Sequence, residues 1–347
     1  MSHPAPLAAI FGMAGPNVTD AEREFFRRTR PAGYILFARN VENPAQVIAL
    51  SNDLRAICPD YEPLILIDQE GGRVQRLKPP FWRQAPAMAE FGTLHARNPG
   101  LAAKVLRLNM NLIGDELRGL GIDVDCAPVM DVPAPGAHDV IGDRAFAGEP
   151  SVVAALASAA CEGLIDAGVV PVIKHIPGHG RAGADSHKEL PVVSADLPTL
   201  RASDFAPFRA LCGSSLQDSC FAMTAHVVYR AIDSSQPATM SRIVIADIIR
   251  GEIGYRGLLM SDDLGMNALN GPFDARAATA LDAGCDLVLH CDGTMVEMEA
   301  VAQGARALAG NGLRAISAVT KVRRQPRAAV ANVAAASFRV LDALRHG

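Results

Sequence analysis

The chain has 347 residues, of which 49% are hydrophobic and 20% are charged, and its formal net charge at pH 7 is −4. A chain of this length can bury a sizeable core. The mildly negative charge argues against nucleic acid and against an anionic membrane surface as partners.

The N-terminal residues and the cysteines bear on the cellular compartment. Residues 1–6 carry no lysine or arginine ahead of a hydrophobic stretch, so we do not expect a secretory signal. No apolar run approaches the ~20 residues needed to cross a bilayer. The seven cysteines form no spaced pairs and mostly sit in apolar surroundings, as reduced core thiols do. These observations predict a cytoplasmic protein.

Eight short segments rich in apolar and β-branched residues are predicted to be strands. Several are almost continuously apolar, which is typical of strands covered on both faces. In chain order they are Leu7–Gly12, Gly33–Ala38, Leu64–Gln69, Ile122–Met130, Val169–His175, Phe221–Val228, Gly257–Asp263 and Cys285–Cys291.

Helix-like stretches lie between the predicted strands. Leu101–Leu120, Ser151–Ala167 and Phe273–Ala283 each stop at a glycine that a predicted strand follows at once, a common helix C-terminal signal. The long polar insert Lys78–Asn98 is expected at the mouth of the fold. Arg327–Arg345 is predicted to form a closing amphipathic helix with a solvated outer face.

Alternating strands and helices of this number predict a (β/α)8 barrel. An open, doubly wound sheet is the alternative, because strand count alone does not show closure. No break in composition and no low-complexity linker divides the chain, so we expect one domain spanning residues 1–347.

Ionisable residues follow the predicted strands at the end where barrel proteins gather their active sites. A rim of such residues on an otherwise apolar barrel predicts a functional site. They are Asp68, Glu70, Asp131, Lys174, His175, His226, Asp262, Asp263, His290 and Asp292.

The segment that follows the fifth predicted strand is the most densely charged part of this rim. Lys174–His187 has the sequence KHIPGHGRAGADSH, which is rich in glycine and offers little to bury. Metal binding by His175 and His179 is disfavoured, since Pro177 and the glycines prevent the helix that would bring both rings to one face. The chain also lacks the glycine fingerprints of nucleotide sites and the serine-hydrolase elbow. We expect no metal and no cofactor.

With metal, nucleotide and serine-hydrolase sites disfavoured, the remaining candidate is catalysis by carboxylate and imidazole groups. Asp262 ends a buried predicted strand, and a carboxylate held there can act as a nucleophile toward an electrophilic carbon. Asp185 and His187 lie two residues apart, so the carboxylate can orient one ring nitrogen while the other faces a substrate. A histidine so placed can be an acid in one step and a base in the next.

Four motifs occur in the order found in glycoside hydrolase family three, and the chain resembles that family over about residues 6–300. They are IDQEGGRVQR (Ile67–Arg76), GDRAF (Gly142–Phe146), KHIPGHGRAGADSH (Lys174–His187) and SDDLGM (Ser261–Met266). In particular, the chain is similar to the single-domain bacterial β-N-acetylhexosaminidases of cell-wall recycling.

The resemblance implies a barrel, a small glycan substrate and a retaining exo-glycosidase activity. By motif position it implies Asp262 as the nucleophile, His187 as the acid/base and Asp185 as the partner of His187. It further implies that the sugar is bound by Asp68, Arg76, Arg144, Lys174 and His175. The implied substrate is a muropeptide fragment, N-acetylglucosaminyl-1,6-anhydro-N-acetylmuramic acid with or without its peptide, and we expect a monomer.

Other interpretations remain open. Phosphate can replace water as the acceptor, the substrate's acetamide can replace the enzyme nucleophile, or the barrel can bind sugar without turnover. Arg144 can form a structural salt bridge with Asp143, and Trp82 suits sugar stacking and loop anchoring equally. Further residues are expected to brace loops or to be satisfied rim histidines: Glu70, Asp125, Asp131, His179, His226 and His290.

Overall fold

The computed structural model of the chain describes residues 5–324 and 330–347. Within these residues the backbone forms ten strands. In chain order they are β1 (Leu7–Phe11), β2 (Pro31–Leu36), β3 (Leu64–Ile67), β4 (Val124–Asp125), β5 (Val170–Ile176), β6 (Val192–Val193), β7 (Phe221–Thr224), β8 (Val228–Tyr229), β9 (Leu259–Asp263) and β10 (Leu287–His290).

Eight of these strands close into a parallel barrel, and β6 pairs with β8 outside it. Around the barrel the order is β1, β2, β3, β4, β5, β7, β9 and β10, and β10 returns to β1 with Ala9 beside Val288. This closure confirms the predicted (β/α)8 barrel and rules out the open doubly wound sheet. Every residue of β2, β3 and β5 is buried, in keeping with the continuous apolar sequences of β2 and β3 and with a β5 that is apolar except for Lys174 and His175.

Helices surround the barrel. In the described part of the chain they are α1 (Asp20–Thr29), α2 (Pro44–Ala56), α3 (Met88–Arg97), α4 (Pro99–Gly119), α5 (Pro150–Ala167), α6 (Leu197–Ala202), α7 (Ala206–Cys212), a π-helix (Val244–Glu252), α8 (Phe273–Ala283), α9 (Met295–Gly304), α10 (Gly310–Arg324) and α11 (Val333–His346).

Local sequence signals explain where these helices stop and start. α5 ends at Gly168, which takes the left-handed conformation (φ 84°) that a side chain disfavours, and β5 follows two residues later. α1 begins at a capping box, in which Thr19 and Glu22 bond each other's backbone N–H groups. α5 is also long and apolar enough to cross a membrane, but half of it is buried here, where it packs against α4 and α7.

Two expectations about boundaries were wrong. The fourth and sixth predicted strands are shorter: β4 has two residues, and the sixth segment divides into β7 and β8. The insert Lys78–Asn98 contains helix α3, which packs on α4 and α5 and contacts the turn Gly142–Arg144. The C-terminal helix begins at Val333, six residues later than expected, and residues 327–329 of that expectation lie outside the described residues.

Candidate active site

A cavity of about 290 Å³ opens at the carboxyl ends of the barrel strands. It contains seven of the eight residues to which the family resemblance assigned a role, and Asp185 lies just outside it. The lining residues are Ile35, Phe37, Asp68, Glu70, Val74, Arg76, Val140, Ile141, Arg144, Lys174, His175, His179, Ser186, His187, Met223, Asp262, Asp263, Met266, Leu289 and Cys291.

Lys174 stands at the centre of a buried ion cluster in this cavity. Its Nζ lies 2.9 Å from Oδ1 of Asp68 and 2.7 Å from Oε1 of Glu70. The side chains of Lys174 and Glu70 are only 3% and 2% exposed. Because these charges are almost removed from water, each depends on the others for its stability.

Two arginines complete the cluster. Arg144 donates to both carboxylate oxygens of Glu70, at 2.9 and 2.8 Å, and Nη2 of Arg76 lies 3.2 Å from Oδ2 of Asp68. The expected alternative of a salt bridge between Arg144 and Asp143 does not occur, since Asp143 instead pairs with Arg73 at 2.9 Å. The fork geometry of Arg144 therefore fixes Glu70 and turns both toward the cavity.

The cations keep both carboxylates ionised. Burial alone would raise the pKa of Glu70, but Arg144 and Lys174 hold it at about 2. Burial likewise opposes ionisation of Asp68, yet Lys174 and Arg76 keep its pKa below the ordinary value. The result is a set of fixed acceptors and donors, which is the chemistry that holds neighbouring sugar hydroxyls.

His175 is oriented by a carboxylate beneath it. Its Nδ1 lies 2.7 Å from Oδ2 of the fully buried Asp131, and its backbone N–H donates to Oδ1 of the same residue. With Nδ1 donating to this carboxylate, Nε2 is left for the cavity. Lys174 and His175 both border the cavity although they are adjacent, and the register of β5 against β7 shifts between Lys174 and Ile176.

Asp262 lies at the end of β9 and borders the same cavity. Burial of its carboxylate would raise the pKa, but His226, His175 and the backbone N–H of Asp263 hold it below the ordinary value. Asp263 also borders the cavity, but its Oδ1 accepts from the backbone N–H groups of Gly265 and Cys291. The carboxylate of Asp262 is therefore the ionised oxygen pair suited to attack.

His226 supports the end of β9 from below. Its Nε2 lies 2.9 Å from the carbonyl oxygen of Asp263, and its Nδ1 lies 2.7 Å from the hydroxyl of Thr239. Burial lowers the pKa of this imidazole, although Asp262 and the carbonyl oxygen of Asp263 oppose the shift. Nε2 donates to that carbonyl oxygen. Thr224 bonds the same threonine hydroxyl at 2.7 Å. His226 thus fixes the backbone next to Asp262 and does not border the cavity.

Asp185 and His187 lie on a glycine-rich segment, residues 178–190, which we call the flap. Oδ1 of Asp185 accepts from the backbone N–H of His187 and lies 2.9 Å from its Nδ1. Although partial burial opposes it, these bonds hold the pKa of Asp185 below the ordinary value. An ionised acceptor keeps the proton on Nδ1, so Nε2 of His187 is the nitrogen free to exchange a proton.

The exposure of the lining side chains distinguishes a buried end of the cavity from an exposed end. The ion cluster lies at the buried end, whereas the side chain of His187 is 66% exposed at the mouth. Ile35, Met223 and Leu289, which are buried strand residues, form an apolar floor. The charged groups of the ion cluster and the imidazole of His187 therefore lie at opposite ends of the cavity.

Two aromatic or imidazole side chains with open roles lie away from the cavity. Trp82 is partly buried against the core and contacts Phe81 edge-on, with 5.8 Å between ring centroids, which is consistent with loop anchoring. His290 is fully buried at the end of β10, with Nε2 3.3 Å from Glu297 and the Phe273 ring edge-on to it.

Sequence reasoning underestimated two residues. Glu70 and Asp131 were expected to brace loops, but Glu70 holds Lys174 and Arg144 in place and Asp131 orients His175. Both follow predicted strands at the rim, and that position was the available signal. Their partners lie 74 and 44 residues further along the chain, so no local pattern revealed the pairing.

We expect Glu70→Gln to lower the free energy of unfolding at pH 7 by about 3 kcal/mol, because it leaves Lys174 and Arg144 buried without that charge. Glu24→Gln is the control, since Glu24 pairs with Arg27 at 2.8 Å but is 72% exposed, and should change stability by at most about 0.5 kcal/mol. The pKa of Glu70 is lowered on folding from 4.5 to about 2. Its contribution is therefore complete above pH ~4.5 and is lost as the pH falls toward ~2.

Urea unfolding of the wild type and both variants between pH 2 and 7 measures this effect. The difference between wild type and Glu70→Gln should shrink as the solution is acidified. A difference that stays constant over that range would show that the charge of Glu70 is not the source of the stability.

A barrel with a buried carboxylate–cation cluster, a nucleophile-competent aspartate and a His–Asp dyad at one mouth has the composition of a glycoside hydrolase site. Residues 7–324 match the model of the glycosyl hydrolase family 3 N-terminal domain, and the chain belongs to this family. The predicted family resemblance is thereby confirmed, and the protein is a glycoside hydrolase.

Comparisons with individual proteins agree with this family assignment. The chain is 42% identical to the beta-hexosaminidase of Alkalilimnicola ehrlichii over 82% of its own length and 80% of that protein. NagZ from Neisseria gonorrhoeae, solved in complex with N-trifluoroacetyl-D-glucosamine, superposes with a TM-score of 0.85 at 32% identity, covering 99% of this chain and 100% of NagZ. A family 3 beta-N-acetylglucosaminidase from Paenibacillus sp. superposes with a TM-score of 0.84 at 31% identity, covering 97% of this chain and 66% of that one.

Proposed function

We propose that this glycoside hydrolase removes terminal β-linked N-acetylglucosamine and retains the configuration at the anomeric carbon. The observation that carries the proposal is that the ionised carboxylate of Asp262 and the imidazole of His187 border one cavity. The relatives named beta-hexosaminidase and the solved complex of NagZ with an N-acylated glucosamine support the choice of sugar.

In the first step a carboxylate oxygen of Asp262 attacks the anomeric carbon. The bond from that carbon to the leaving oxygen breaks, and the leaving oxygen takes the proton from Nε2 of His187. A glycosyl–Asp262 ester and a neutral imidazole result. Asp185 stabilises the protonated ring before the step and holds Nδ1 as the donor throughout.

In the second step water attacks the same carbon from the side that the leaving group has vacated. Nε2 of His187 takes the proton of this water, and the ester bond to Asp262 breaks. Two inversions give net retention. Asp68, Glu70, Lys174 and Arg144 act throughout by holding the hydroxyls at the buried end of the ring.

Hydrolysis of 4-nitrophenyl β-N-acetylglucosaminide followed by proton NMR tests this proposal. The first product formed should be the β anomer, which only later equilibrates with the α anomer. An α product formed first would contradict retention. Absence of turnover would favour the alternative of a silent sugar-binding protein.

The acceptor is a second question. Phosphorolysis remains the alternative, because an imidazole acid/base repels phosphate less than a carboxylate does. Running the reaction with and without phosphate and looking for a sugar 1-phosphate separates the two. We propose water.

For the natural substrate we propose muropeptide fragments, in particular N-acetylglucosaminyl-1,6-anhydro-N-acetylmuramic acid with or without its peptide. Only 5% of the chain is aromatic, which suits a short glycan better than a long polymer. A cytoplasmic setting is part of the same proposal. All seven cysteines lie in the described residues as free thiols, and six are buried.

A further inference from the structure

Ser186 lies between the two members of the dyad, Asp185 and His187, yet it points the opposite way. It is 4% exposed, and its hydroxyl lies 3.2 Å from Nε2 of His179. We propose that this hydrogen bond is a latch that fixes the tip of the flap, residues 183–189, to the base of the flap, so that Ser186 and His179 are positioning residues for the proton transfer by His187. The inference rests on the proposed role of His187.

The flap tip has few other attachments. Lys188 and Glu189 are exposed, as is His187 itself. Among the described residues, the Ser186–His179 bond is the one side-chain hydrogen bond that joins segment 183–189 to the rest of the protein. A backbone bond from Ala268 to the carbonyl oxygen of Ser186, at 3.2 Å, meets the tip at the same residue.

The base of the flap, by contrast, is well held. The carbonyl oxygens of Gly180 and Ala182 each accept a backbone N–H at 3.0 Å, from Ala134 and His138 respectively. A tip held at one residue beyond a fixed base can turn about that residue. Whether the dyad faces the cavity therefore depends on the contacts of Ser186.

The His179 end of the latch is rigid and buried. Its backbone N–H donates to Oδ1 of Asp131 at 2.7 Å, the same carboxylate that orients His175. Nδ1 of His179 is buried without a hydrogen-bond partner among the described residues, so within them Ser186 is the one hydrogen-bond partner of its ring.

Opening the latch would leave the whole imidazole of His179 buried and unpaired, which is unfavourable. Burial and the nearby His175 lower the pKa of His179 to about 4. The ring is thus neutral at pH 7, so no ion pair with Asp131 can replace the lost hydrogen bond to Ser186. The cost of an unpaired buried imidazole and the neutrality of that imidazole therefore both favour the position of the flap in which Ser186 bonds His179.

The test uses the dependence of the rate on the leaving group. Ser186→Ala should lower kcat/KM about five- to tenfold for methyl β-N-acetylglucosaminide, whose leaving oxygen needs a proton, as expected for one lost hydrogen bond. The 2,4-dinitrophenyl glycoside leaves without protonation, so its kcat/KM should fall less than twofold. Ser186→Thr keeps the hydroxyl and should restore the methyl glycoside rate.

The matched control is Ser158→Ala on α5, which removes a serine hydroxyl bonded at 2.9 Å to a helix carbonyl and should change neither rate. Equal losses on both substrates would overturn the latch, since they would show a general structural effect. No loss on either would overturn it too.

Hydrogen–deuterium exchange tests the latch without any catalysis. Ser186→Ala should speed exchange at least fivefold in residues 183–190 and leave helix α4 unchanged. Unaltered flap exchange would overturn the proposal. If the wild type hydrolyses no N-acetylglucosaminide, the proposed function is wrong. The exchange measurement still shows whether the Ser186–His179 bond fixes the tip of the flap.

Discussion

Replacement of Asp262 by alanine is expected to lower kcat for 4-nitrophenyl β-N-acetylglucosaminide on the order of 10⁴- to 10⁶-fold, the range for loss of a covalent nucleophile. The free energy of unfolding should also fall, because the pKa of Asp262 is lowered in the folded protein and its carboxylate therefore contributes to stability at pH 7. Steady-state kinetics with circular dichroism as a folding check measures both.

The neighbouring carboxylate is the control. Asp263→Asn keeps an acceptor for the N–H groups of Gly265 and Cys291 and should reduce kcat far less. A 5-fluoro N-acetylglucosaminyl fluoride should label the wild type on the peptide that contains Asp262. Labelling of Asp263 would make the assignment wrong, and complete absence of a covalent adduct would favour participation by the substrate's acetamide.

His187→Ala is expected to lower kcat/KM for substrates with poor leaving groups by about 10²- to 10⁴-fold, because the departing oxygen loses its proton donor. With a 2,4-dinitrophenyl leaving group the first step survives and the second slows, so a burst of dinitrophenol should precede slow turnover. Added azide, which needs no base, should restore turnover and give the β-glycosyl azide.

A surface pair of the same composition supplies the control for this variant. His346 lies 3.1 Å from Asp342 on α11, exposed and outside the cavity, and His346→Ala should leave both rates unchanged. If His187→Ala showed neither a burst nor azide rescue, the proton would have to pass through another group.

The barrel could be predicted because its signals are local. Strands covered on both faces are continuously apolar, as in β2 and β3, and Gly168 stops α5 just before β5. Strand length was less predictable. Phe221–Val228 is apolar except for Thr224 and His226, yet it divides between the barrel and the outer pair because pairing partners, not composition, decide where a strand ends.

In the site, the sequence predicts where the polar residues lie, but it does not predict which side chains contact each other. The end of a strand marks where Asp68, Lys174 and Asp262 lie, since parallel strands present their carboxyl ends at one mouth. It does not reveal that Glu70 faces Arg144 or that Ser186 turns away from His187 toward His179. Such contacts depend on loop paths that join distant parts of the chain.

Ile35, Met223 and Leu289 line the buried part of the cavity beside the ion pairs of Lys174 and Glu70, and His187 lies at its exposed end. Under the proposed function, the aglycone beside His187 therefore departs before water reaches the anomeric carbon, and the sugar beside Lys174 and Glu70 is the last product released.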